Sequence, residues 1–113
     1  MNKYEMEQKL LNEQCLLYTG QIDEILTQIL NERFPDITNA FLLKMIPEQG
    51  EDIYYILLNS SLIAVIEISR INHDITNALI DKIAVNEYKV NLSSSSRKIL
   101  DMAMKLQNKK QQA

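Results

Sequence analysis

Two short runs, Ile53–Leu58 (IYYILL) and Leu62–Ile68 (LIAVIEI), restrict what this chain can fold into more than anything else in it. Side chains alternate between the two faces of a strand. Ile53, Tyr55 and Leu57 therefore share one face of the first run, and Tyr54, Ile56 and Leu58 share the other. In the second run Leu62, Ala64, Ile66 and Ile68 oppose Ile63, Val65 and Glu67. Both faces are largely apolar, whereas an antiparallel sheet with one wetted side alternates cleanly between apolar and polar. A sheet built on these strands has to be covered twice.

The cover must come from segments with a period of 3.6 residues. Tyr4, Leu11, Cys15 and Tyr18, flanked by Leu10 and Leu17, predict an amphipathic helix that ends before Gly20 and carries Cys15 as a buried thiol on its apolar stripe. A second helix runs to Phe34 on the stripe Ile22, Ile25, Leu26, Ile29, Leu30 and Phe34. Asp23 and Glu24 suit its positive N-terminal end, and Pro35 stops it. The short connection makes the pair an antiparallel helical hairpin. Residues 39–69 read as three strands, with Pro47 and Gly50 bracketing the first turn and residues 59–61 (NSS) forming the second. A loop over 71–77, a fourth strand near 78–85, a helical turn around 86–92 and a last helix with Ile99, Met102, Ala103 and Leu106 on one side complete the chain. The fold class is α+β in the order ααββββα, a single domain over 1–113 with a frayed tail at 109–113.

Composition narrows the function. With 113 residues, 46% of them hydrophobic, and only two glycines and two prolines, the chain suits one compact domain. The single cysteine forms no internal disulfide, so the core has to hold the fold, which fits a reducing, cytoplasmic setting. No apolar run approaches the roughly 20 residues of a membrane span, so no membrane partner is expected. Net charge is −3, giving no overall attraction to nucleic acid, but the charge is uneven. Residues 1–58 hold four Lys/Arg against ten Asp/Glu, and residues 59–113 hold eight against five.

Groups able to do chemistry are scarce. One histidine and one cysteine, far apart, show no metal-ligand spacing, and two glycines cannot build a phosphate loop, so neither a metal nor another cofactor is expected. His73 beside Asp74, with Ser69 or a serine of the 93–96 run, is the one set resembling a nucleophile, base and orienting acid, yet no nucleophile turn accompanies it. Glu51 with Asp52 sits by a turn, where charge is solvated. Glu67, on an apolar strand face, is the better acid, and it is expected to reach solvent or to pair with a cation such as Arg70 or Lys44.

The run of four serines at 93–96 is best explained as helix initiation, with Ser94 or Ser95 as the N-cap. Arg97 and Lys98 oppose the dipole of that first turn, and together with Ser94 and Ser95 they make a candidate anion site. For the sheet, the hairpin supplies cover for one face and the stripe of the last helix is too narrow for the other. Part of one alternate set, Tyr54, Ile56, Leu58 and Ile66 or Tyr55, Leu57, Ile63 and Val65, is then expected to meet a second copy or another protein. These features favour a non-enzymatic protein-interaction module of binding, chaperone-like or inhibitory type, expected to be a homodimer or bound to another protein. The alternatives are a nucleic-acid-binding regulator using the cations of the last helix (Arg97, Lys98, Lys105, Lys109, Lys110), and a small enzyme using Glu67 or His73.

Overall fold

The computed structural model describes residues 1–112, with side chains through Asn108. The fraying expected of 109–113 falls on residues whose side chains lie outside that description. Two helices, α1 (Lys3–Tyr18) and α2 (Glu24–Arg33), lead into four strands, β1 (Ala40–Glu48), β2 (Glu51–Leu58), β3 (Leu62–Ser69) and β4 (Leu79–Ala84). A 3-10 turn at Ile75–Asn77 precedes β4, a single helical turn α3 (Val85–Tyr88) follows it, and α4 (Ser94–Gln112) closes the chain. The strands form an antiparallel meander in the order β1-β2-β3-β4. The α+β architecture and the ααββββα order read from the sequence are those of the structure, and the helical turn expected around 86–92 is α3, beginning one residue earlier at Val85.

Local chemistry sets the boundaries. After α1, Gly20 sits at φ 78 and the Gln21 N–H donates to Leu16 O at 2.9 Å, the wider closing bond of a left-handed helix end. Asp23 caps α2, its carboxylate accepting from the N–H groups of Ile25 and Leu26. Between β1 and β2 the paired ends are Glu48 and Glu51, so the turn is Gln49–Gly50, with Gly50 at φ 82. Pro47 is not a turn residue. It lies inside β1, which is an edge strand, where a missing N–H costs no ladder bond. In the next hairpin, Asn59 (φ 48) and Ser60 (φ 59) are both left-handed and the Ser61 N–H donates to Leu58 O. Asn59 also ties the turn to the segment before β1: its Oδ1 accepts from the N–H groups of Thr38 and Asn39, and its Nδ2 donates to Asp36 O.

Both sheet faces are covered by the chain itself. On one, α2 and Leu17 of α1 pack with Ala40, Leu42, Tyr54, Ile56, Leu58, Ala64, Ile66 and Ile68. On the other, α4, α3 and Leu10 of α1 pack with Phe41, Leu43, Leu57 and Ile63. The premise that one face is left over is therefore corrected. It treated α1 as part of a one-sided layer, but α1 lies against the β1 edge and adds an apolar side chain to each face. Gln14 Nε2 donates to Ala40 O at 3.0 Å, and the Tyr18 hydroxyl accepts from the Ala40 N–H at 2.9 Å. Val85 and Tyr88 of α3 supply the remaining width that α4 lacked.

Candidate functional site

The histidine reads differently in three dimensions. His73 does not pair with Asp74; its Nε2 lies 2.8 Å from Asp23 Oδ1, fifty residues away in sequence. Asp23 has little left to offer a substrate. Its carboxylate caps α2, meets His73 and accepts a hydrogen bond from the Tyr54 hydroxyl at 3.2 Å, with only 8% of its side chain exposed. Burial, the charges of Asp23 and Asp52, and the bond to Asp23 push the Tyr54 phenol well above its ordinary pKa, so it stays a neutral donor. Asp74 instead caps the 3-10 turn, and bonding from Thr76 and Asn77 holds its carboxyl below its usual range. Arg70 pairs with Asp52 at 2.6 Å rather than with Glu67, and also donates to Glu48 O and Glu51 O, clamping the β1–β2 turn. Lys44, the other partner expected for Glu67, stands 4.5 Å over the Tyr55 ring.

The other sequence candidates also have structural duties. Ser93, one residue before the two serines favoured as the cap, does the capping: its Oγ accepts from the Ser96 N–H and its carbonyl from the Arg97 N–H. Ser94, Ser95, Arg97 and Lys98 are all exposed and are not drawn into a common cradle. Tyr54, Ile56, Leu58, Ile63 and Ile66 are core residues, while Tyr55 and Val65 are half-buried under the α4 side. Cys15 is exposed, contrary to the buried thiol expected, because the inner stripe of α1 is Leu10, Gln14 and Leu17. Tyr4 and Cys15 are left on its outer side, while Tyr18 flanks the β1 edge with its hydroxyl turned to Ala40. No group of histidine, cysteine and acidic side chains suited to a metal ion exists among the described residues. None of the described helices is long and apolar enough to cross a membrane.

What remains is a surface. Between the start of α1 and the first half of α4 runs an open groove of about 450 Å³, lined by Met1, Asn2, Lys3 and Met6 from one side and Lys98, Asp101, Met102 and Lys105 from the other. Met6 and Met102 are half-buried, rooted in the cluster beneath, and form the floor. Lys3, Lys98 and Lys105 form an exposed rim, and none of them takes part in an ion pair among the described residues. Three cations against Asp101 make this groove locally positive on a chain of net charge −3. Of its residues, sequence reading singled out Lys98 and Lys105 for charge and Met102 for a core stripe. It missed the α1 half, because nothing local connects residues 1–6 with 98–105. No protein-family model, curated protein or solved structure matches the chain.

Proposed function

We propose that this protein is a non-enzymatic interaction module that docks a segment of another protein in the groove between α1 and α4. The observation carrying this reading is the contrast between its two kinds of polar group. The carboxylate and imidazole suited to acid–base work, Asp23 and His73, are engaged with each other and with a helix cap. The lysines around a methionine floor have no ion-pair partner among the described residues. A general base needs free reach to a substrate proton, whereas unbranched, polarizable methionines reshape around varied apolar side chains and suit a docking surface.

The test is selection of helical peptides from a random display library on the full chain. Selected peptides should compete with one another and lose binding to a Met102→Asp variant shown to be folded by circular dichroism. They should bind His73→Ala and Glu67→Gln variants unchanged. Binders that ignore Met102→Asp, or lose affinity on His73→Ala, would defeat the proposal. Self-association is a second reading, favoured by Tyr4 and Cys15 on the outer side of α1, where Tyr4 is 70% exposed. Light scattering should then give a dimer mass that Tyr4→Glu reduces to the monomer.

A further inference from the structure

We infer that the segment taken by this groove is an acidic amphipathic helix with carboxylates two turns apart and apolar side chains between them. This inference rests on the docking role proposed above. The spacing comes from α4. Lys98 and Lys105 are seven residues apart on one rim, about 10 Å along the helix axis at 1.5 Å per residue, and a helical ligand presents two side chains at that interval when they are seven positions apart. The floor between the rims is thioether: Met6 reaches it from α1 and Met102 from α4. A ligand side chain entering there exchanges water for apolar contact, so the ligand needs leucine, methionine or phenylalanine at the third or fourth position after the first carboxylate.

Asp101 sharpens the choice. It stands between the two lysines, three residues after Lys98 and four before Lys105, on the same side of α4. A ligand acidic along its whole edge brings a carboxylate against Asp101 and is penalised. One with a neutral or basic residue midway between its two acids is not. Lys3 on the opposite rim accepts a further carboxylate and confines the ligand between α1 and α4. The groove thus selects a pattern of acid, apolar and acid rather than negative charge in bulk, which sets it apart from a surface for anionic lipid or nucleic acid.

Three synthetic helical peptides measured by fluorescence anisotropy against the full chain test this. One carries two glutamates seven residues apart with leucine and methionine between them, one replaces the glutamates by lysine, and one is acidic at every exposed position. The first should bind most tightly and should weaken by about tenfold or more as salt is raised from about 50 to about 200 mM. Lys98→Glu and Lys105→Glu, both at exposed positions, should each weaken it by about fivefold or more. Asp101→Asn should bring the fully acidic peptide up to the affinity of the first. Equal binding of the lysine peptide, or no effect of the two reversals while Met102→Asp still abolishes binding, would overturn the acidic assignment and leave the docking role standing. Loss of the docking role itself would show as tight binding of the first peptide that Met102→Asp leaves untouched. Preference for phosphatidylserine vesicles or duplex DNA over the first peptide would also overturn the inference.

Discussion

Gln107 lies on the inner side of α4 with none of its surface exposed, and neither its Oε1 nor its Nε2 has a hydrogen-bond partner among the described residues. Taking an amide out of water with no replacement bond costs about 1 to 3 kcal/mol by the standard of core substitutions. Leucine has a similar helix propensity and a similar size, so Gln107→Leu removes the penalty and adds a branch whose fit costs less than about 1.5 kcal/mol. The net gain should be about 1 kcal/mol. Gln107→Met keeps the unbranched shape and should gain about 2 kcal/mol. For a domain of this length these gains raise the melting temperature by about 4 to 8 °C. Urea unfolding followed by circular dichroism is the assay, and the midpoint should rise with an unchanged slope. Gln107→Glu, which buries an unpaired carboxyl, should move the midpoint the other way. If both apolar variants lost stability, the amide would have to be making a favourable interaction that its hydrogen-bond geometry does not show, and the reasoning would be refuted.

Asn59→Ala removes the side-chain bonds to Thr38, Asn39 and Asp36 and puts alanine at φ 48, so a loss of about 2 to 3 kcal/mol is expected. Asn59→Gly should recover part of it by relieving the backbone alone. Ser93→Ala should cost about 1 kcal/mol, and Ser94→Ala or Ser95→Ala less than half as much, in chemical denaturation. Burial raises the pKa of Tyr18, Tyr54 and Tyr88, so each is neutral in the folded chain at a pH where the unfolded chain has begun to ionise. Stability is then full below about pH 10 and falls as pH rises beyond it. Tyr54→Phe should flatten that fall, read from denaturation midpoints alongside tyrosinate absorbance.

Elements governed by neighbours in sequence were legible, and those governed by distant partners were not. The strand periodicity of residues 40–69, the glycine after α1 and the proline after α2 are local signals, and the structure follows them. Apolar side chains circle most of α1, so periodicity alone did not decide between its stripes. The deciding residue, Gln14, looks solvent-facing until β1 presents a carbonyl to it, twenty-six residues on. His73 was matched to its neighbour Asp74 for the same reason, although the 3-10 turn at Ile75–Asn77 gives Asp74 the N–H groups of Thr76 and Asn77 to cap. The coverage of the sheet went astray in how helices were assigned to faces, since α1 serves both. The groove left its mark in the sequence as methionines and lysines without a partner pattern, which only the packing of α1 on α4 converts into a surface.

The position of α1 also bears on how this chain fails. An edge strand offers its outward N–H and C=O groups to any passing strand. At the β4 edge the Lys82 N–H is already taken by the Asp81 carboxylate at 2.8 Å, and the adjacent charges discourage a neighbour. The β1 edge has no such local guard near Ala40. Its N–H and C=O are satisfied by Tyr18 and Gln14, which belong to a different element. Clipping or mutating α1 would thus strip Leu10 from one core and Leu17 from the other and uncover a strand end in the same event. A ribosome delivers α1 before the edge it guards exists, so the interval between synthesis of β1 and the docking of α1 is when misassembly between chains is most open. Solubility during synthesis should depend on the first eighteen residues more than their share of the buried surface would indicate.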